Sequence, residues 1–195
     1  MTQPRLFADF SVGSVSIGPL VVAAKAKSAP LAFDGQGPLT ALLASPGDPL
    51  RIPFEWGNYD KDEASSRVSM CLEVPFELKA WVLGVESALV AAASKHSQAL
   101  FKKDLGEEEL RRTFSSAIRS SGGDLLKVKV NRWGPNALRC WSAAGEQAPV
   151  PEGVRGSWCA PAVEVKHLWI SGNLWGAVWQ VTDAVFTTPQ VKCPW

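Results

Sequence analysis

The hydrophobic period of this chain changes twice, from two to nearly four and back again, and those changes limit what it can fold into. In Arg67–Val74 the residues Val68, Met70, Leu72 and Val74 alternate with Arg67, Ser69, Cys71 and Glu73, the pattern of a half-buried strand. From Phe76 to Lys103 the apolar positions fall at helical spacing instead: Leu78, Val82, Val85 and Leu89, then Leu100. At Leu126, Val128 and Val130 the alternation returns, now against Lys127, Lys129 and Asn131. Successive strand side chains point to opposite faces, so this last segment has one apolar face and one basic face.

The rest fits between these anchors. Phe7–Ala23 is β-branched at Val12, Val15, Ile17, Val21 and Val22 and broken by Gly13, Gly18 and Pro19, which predicts two short strands or one bent strand. Ala24–Pro49, rich in Ala, Ser, Gly and Pro, reads as a loop with at most one strand, and Arg51–Trp56 as an extension of the sheet. Asn58–Ser66 is polar and reads as a surface turn. Pro75 suits the first turn of a helix. Leu105–Arg119 predicts a second helix, with Glu107, Glu108 and Glu109 at its start and Leu110, Phe114 and Ile118 as its buried stripe. Ala137–Ser142 is expected to pair back on the preceding strand across a turn at Gly134–Asn136. Gly145–Gly156 reads as a Pro/Gly loop, and Val163–Ile170 with Leu174–Phe186 as a hairpin closed by Ser171–Gly172–Asn173. The expected organisation is one domain over 1–195: N-terminal strands in 7–74, a helical insertion at about 75–121, and C-terminal strands in 125–187.

Charge excludes little. The chain has 20 Lys and Arg against 19 Asp and Glu, so its overall charge steers no partner. Distribution says more: Leu125–Trp195 holds seven basic residues (127, 129, 132, 139, 155, 166 and 192) against four acids (146, 152, 164 and 183). Cys71, Cys140, Cys159 and Cys193 are widely spaced, which suits free thiols in a reducing compartment and not a metal site. The start, Met1–Phe10, lacks the pattern of a secretory signal, and Val82–Ala93 is too short an apolar stretch to span a bilayer. A soluble, intracellular protein that is not secreted and has no membrane partner is expected.

No catalytic constellation emerges. There is no phosphate-cradling Gly-rich loop followed by Lys-Ser/Thr, no pair of histidines on one helix turn, and no Gly-x-Ser-x-Gly elbow. His96, among Ser94, Lys95 and Ser97, reads as a solvated residue near a helix end, and His167 as a core or rim residue sharing a strand face with Val165 and Trp169. The acidic triplet is explained by its place at a helix start, and Cys140 has no identifiable base beside it. The chain is not expected to be an enzyme, to hold a metal or to use a cofactor.

What remains is tryptophan. Of the 9 in the chain, six follow Trp133, interleaved with Lys and Arg. A flat indole either fills a core or stacks on another flat ring. Lys127, Lys129, Arg132 and Arg139, with Trp133 and Trp141 beside them and Arg155 and Trp158 on the next loop, form a candidate nucleic-acid-binding set. Cations neutralise backbone phosphates and exposed rings stack bases. In the bland alternative the lysines are a solvated face and the tryptophans turn inward. Trp169, Trp175 and Trp179 favour that alternative, a cross-strand aromatic core with a bend at Gly176. Trp195, after Lys192, Cys193 and Pro194, is either exposed or docked, and the sequence leaves both open.

The order of Arg51–Phe54, Val85–Glu86 through Phe101–Lys103, Glu107–Phe114, Leu126–Val130 and Val163–Val181 resembles proteins of large DNA viruses of algae and protists. That resemblance implies an oligonucleotide-binding-fold module acting on single-stranded DNA. Those modules often end in an acidic recruiting tail, which Gln190–Trp195 is not. The fold expected is therefore mainly β (β+α): a small OB-like barrel or sandwich with a two-helix insertion. The function expected is non-catalytic binding of single-stranded nucleic acid, DNA first, through a basic, Trp-lined groove. The rival is a structural or protein-interaction β-sandwich whose exposed tryptophans bury against another protein or a second copy of itself. A carbohydrate-binding module is a third reading, weakened because the neighbours of the rings are basic.

Overall fold

The computed structural model describes residues 5–23, 27–57, 66–120 and 122–187, and the alternating segments in it are strands. Before the helices run β1 (Arg5–Leu6), β2 (Val15–Ile17), β3 (Val21–Val22), β4 (Lys27–Phe33), β5 (Leu39–Leu42), β6 (Leu50–Arg51) and β7 (Arg67–Glu73). Then come α1 (Phe76–Lys95), α2 (Ser97–Phe101) and α3 (Glu107–Thr113). They are followed by β8 (Ile118–Ser120), β9 (Asp124–Asn131), β10 (Arg139–Trp141), β11 (Gln147–Ala148), β12 (Trp158–Ser171) and β13 (Leu174–Thr187). The protein is mainly β with helices inserted between two strand groups. Among the described residues its sheet, in the order β1-β5-β12-β13-β10-β11, is open and does not close into a barrel.

The long β12–β13 hairpin is the spine. It turns through Gly172 and Asn173, and Gly172 supplies the positive φ of 58° that such two-residue turns need. β4, β5 and β6 pair along the outer edge of β12, while β9 runs parallel to β13 and carries β7 and β8. The alternation of β7 and β9 is realised in full. Val68, Met70, Leu72, Leu126, Val128 and Val130 are all buried on the face that α1 covers with Leu78, Val82, Val85, Leu89 and Ala93. Trp81 of α1 meets Trp179 of β13 edge-on, with ring centroids 5.9 Å apart. Burying each such aliphatic side chain contributes roughly 1.5–3 kcal/mol, which is what binds helix to sheet.

Several expectations need correcting. The second helix stops at Thr113, because Leu105–Arg119 contains two different elements: α3, and a strand in which Ile118 packs by pairing with Leu126. The first helix ends at Lys95, with His96 as an exposed cap before the separate α2. Ala24–Pro49 holds two strands, not one, since Ala29, Leu31 and Phe33 alternate inward in spite of Pro30. Phe7 opens a 3-10 turn, and of Arg51–Trp56 only Arg51, the end of β6, is strand. Gly145–Gly156 contains the short β11. Ala137–Ser142 does not fold back on β9: Arg139–Trp141 lies parallel to Asp183–Val185 and antiparallel to β11. Most of the turn expected at Asn58–Ser66, and Lys192, Cys193 and Trp195, lie outside the described residues. Among those described, Cys71, Cys140 and Cys159 are free thiols, and no helix is long and apolar enough to cross a membrane.

Candidate nucleic-acid interface

The face of the sheet turned away from α1 can be followed residue by residue. One row of register partners runs Ser69, Lys129, Gln180, Glu164, Thr40, and the next along β7 and β9 pairs Cys71 with Lys127. Paired residues share a face, so Lys127 and Lys129 stand outward while Val128 and Val130 fill the core. Towards the hairpin turn, β12 and β13 slip register between Val165 and Leu168. With Val165 and Leu168 both inward, the extra residue leaves Lys166 and His167 outward together, and Trp169 outward after them.

The slip builds a cleft of about 710 Å³. Lys27, Arg67, Arg119, Lys127 and Lys129 line it, with His167, Trp169, Leu174 and the segment Ser115–Ala117, and no carboxylate is among the described residues that line it. Lys127 and Lys129 come from β9, Arg67 from β7, Arg119 from β8 and Lys27 from β4. The wall at Ser115–Ala117 is stitched to the sheet: the Ser115 amide donates to the Trp175 carbonyl at 2.7 Å and the Lys127 amide to the Ala117 carbonyl at 2.9 Å. The Arg119 guanidinium donates to Ser115 Oγ at 3.3 Å, and Lys129 Nζ to Ser69 Oγ at 3.0 Å.

The electrostatics follow from crowding. Burial lowers the pKa of Lys129, and the nearby charges of Lys127 and Arg67 lower it further. Burial likewise lowers that of His167, followed by Arg67 and Lys166, with Glu164 opposing. Cations held this close favour an anion among them.

Trp169 is the aromatic surface of the cleft. It pairs with Gly176 and Ser28, and a Cβ on Gly176 would sit 3.2 Å from the indole and 2.8 Å from the Ser115 carbonyl oxygen. Only glycine lets the ring lie across β13 against that wall. The other hairpin tryptophans are structural. Trp175 is 1% exposed, donates from Nε1 to the Leu110 carbonyl at 3.0 Å and meets Phe101 and Phe114 edge-on, and Trp179 is equally enclosed. Trp169 has no such acceptor or ring partner among the described residues.

The structure gathers only part of the candidate set. Lys127 and Lys129 share the cleft. Arg132 and Trp133 lie just past β9, the guanidinium carbon 5.0 Å from the centre of a ring that is 45% exposed. Arg139 is ion-paired to Asp183 at 2.7 Å, and Trp141 Nε1 donates to the same carboxylate at 3.0 Å. Burial pushes the Asp183 carboxyl up, but the bonds from Arg139, Trp141 and Thr182 outweigh it and leave it below the usual range. Arg139 and Trp141 are thus committed to each other through Asp183. Arg155 sits in the loop before β12, and Trp158, 36% exposed, pairs with Thr187 and Arg51 at the open end of the hairpin. From Gln180, beside Lys129, to Thr187 is about 23 Å along β13. Lys27, Arg67, Arg119, His167 and Trp169 were not in the set. The alternation of Arg67, Ser69 and Cys71 signals one of them, while Arg119 was hidden in the assumed second helix.

No family model matches the chain, and no curated protein matches it. Among solved structures it is similar to gp2.5, a single-stranded DNA-binding protein encoded by bacteriophage T7, with 14% identity, 76% of this chain and 86% of that one covered, and a TM-score of 0.48. It is also similar to the single-stranded DNA-binding protein of bacteriophage Enc34 in complex with single-stranded DNA: 9% identity, 88% and 95% covered, TM-score 0.45. A C-terminal truncation of the Enc34 protein gives 10% identity, 88% and 93% covered, and 0.47. These are bacteriophage proteins and say nothing of the viruses of algae and protists.

Proposed function

We propose that the chain binds single-stranded nucleic acid, DNA in the first instance, without catalysing a reaction on it. The observation that carries this reading is the cleft: five Lys and Arg residues converge on it from four strands, with no carboxylate among its described lining residues and the half-buried indole of Trp169 on its surface. Phosphates answer the cations, and a base unpaired from its complement answers the ring, a combination that neither a duplex nor a simple anion supplies. Lys27, Arg119, Lys127 and Lys129 hold the backbone in this reading, and Trp169 stacks on a base. Arg132 and Trp133 extend the same track past the end of β9, whereas Arg139 and Trp141 are held by Asp183 and contribute shape alone.

The test is a fluorescence-anisotropy titration of a labelled single strand of about 20 nucleotides, longer than the usual site on one such domain. It is run at low and moderate salt beside the matching duplex. Binding that favours the single strand and weakens with salt is expected. Equal affinity for the duplex would remove the role given to Trp169, and no binding at low salt would remove the function.

A further inference from the structure

Behind the cleft wall lies a buried carboxylate to which the binding reading gives no part. Glu86 occupies the buried stripe of α1 between Val85 and Leu89 and is 5% exposed. It accepts hydrogen bonds from Ser116 Oγ at 2.7 Å and from the Ala117 amide at 2.7 Å. Ser116 Oγ in turn accepts from the Ile118 amide at 3.0 Å. We infer that Glu86 is a positioning residue for the cleft, holding the Ser115–Ile118 wall from behind so that Arg119 is presented to the bound strand. This inference rests on the cleft being the nucleic-acid site.

Packing alone does not call for an acid here. A leucine would continue the apolar stripe of α1, and burying a carboxylate is costly unless its bonds are needed. Burial does push the Glu86 carboxyl up, against the opposing pull of Ser116, the Ala117 amide and Arg119. What the acid supplies is an acceptor where the sheet offers none. Residues 115–117 are irregular, between the end of α3 and the start of β8. Their ladder contacts are the Ser115 bond to Trp175 and the Lys127 bond to Ala117. Without Glu86, the Ala117 N–H and the Ser116 hydroxyl lose their acceptor, and the connection leading directly into Arg119 loses two of its anchors.

Three variants separate positioning from general stability: Glu86→Leu, which removes both acceptors, Glu86→Gln, which keeps one and a polar partner for Ser116, and Arg119→Ala. Binding of the labelled single strand is measured against salt for each and for the Leu/Ala double variant. Arg119→Ala is expected to lower the magnitude of the log–log salt slope by about 0.7, the loss of one phosphate contact on a single strand. Glu86→Leu should do the same, Glu86→Gln should stay near the parent, and the double variant should be no weaker than Arg119→Ala alone. Full affinity in Glu86→Leu, or an effect that adds fully to that of Arg119→Ala, overturns the inference. Amide hydrogen exchange of the free protein gives an independent readout, with faster exchange confined to residues 115–119 expected in Glu86→Leu and not in Glu86→Gln. If the parent protein binds no strand, the proposed function falls and exchange alone judges the wall: acceleration confined to 115–119 upholds the positioning, and unchanged exchange overturns it.

Discussion

Replacing Lys127 and Lys129 together by alanine tests the cleft most directly, because its effect can be counted. Four cations of the lining, Lys27, Arg119, Lys127 and Lys129, have no ion pair with a carboxylate of the described residues. If each meets one phosphate of a single strand, the log–log salt slope is about −2.8, from roughly −0.7 per contact. Between about 50 and 200 mM salt, affinity then falls about 50-fold. The double variant keeps two contacts, a slope near −1.4, and a loss of only about 7-fold over the same range. At the lower salt it binds more weakly than the parent, and the gap narrows as salt rises. Anisotropy titrations at three or four salt concentrations give both slopes. Arg139→Ala is the control: its guanidinium is 2.7 Å from Asp183, so its removal should leave the slope unchanged. A double variant with the parent slope, or an Arg139→Ala slope that falls equally, would refute the placement of the strand in this cleft.

Other outcomes follow from neighbouring contacts. Trp169→Leu should weaken single-strand binding roughly 5- to 150-fold, the value of one stacked base, while leaving affinity for inorganic polyphosphate unchanged; equal losses on both would show a structural role. His167, with its pKa lowered by burial, Arg67 and Lys166, is neutral in the free protein until the pH falls below its ordinary range. A bound polyanion raises that pKa, so affinity should rise as pH drops from about 7.5 to 5.5, and His167→Gln should flatten the profile. Trp175→Ala, which empties a fully buried site beside Phe101 and Phe114, should cost about 3–5 kcal/mol in chemical denaturation. A cost under about 1 kcal/mol would mean that the hairpin is not anchored there. Because the folded state raises the Glu86 pKa, its ionisation opposes folding above the ordinary carboxyl range. Stability of Glu86→Gln relative to the parent should therefore increase with pH through the acid range, and a difference independent of pH would contradict it.

Much of the scaffold was legible because strand alternation is a direct print of which face is buried. β7, β9 and the β12–β13 hairpin follow from it, and so does the outward placing of Lys127 and Lys129. The losses came where one local signal stood for two elements. Leu110, Phe114 and Ile118 keep four-residue steps, yet Ile118 is buried by a strand partner and not by a helix face. That error carried Arg119 away from Lys127, although β8 and β9 are neighbours. The pairing of β10 was illegible for another reason. A turn at Gly134–Asn136 suggests a hairpin, whereas Asp183, 44 residues beyond Arg139, captures both Arg139 and Trp141 on β13.

The register slip between Val165 and Leu168 shows most clearly how a small departure makes the site. Strict alternation places Val163, Val165, His167 and Trp169 on one face and so sends Trp169 into the core with Trp175 and Trp179. One extra residue on β12 breaks that phase. Leu168 takes the inward place, and His167 and Trp169 are carried out to the side of Lys127 and Lys129. The inward place stays filled, because Leu168 is fully buried and pairs with Ala29 and Ala177. The outer face gains an indole that glycine at 176 alone can accommodate. The bulge therefore turns a strand with an aromatic core face into one wall of a cation-lined cleft, and the adjacent polar pair Lys166–His167, which interrupts the alternation, is its only local mark in the sequence.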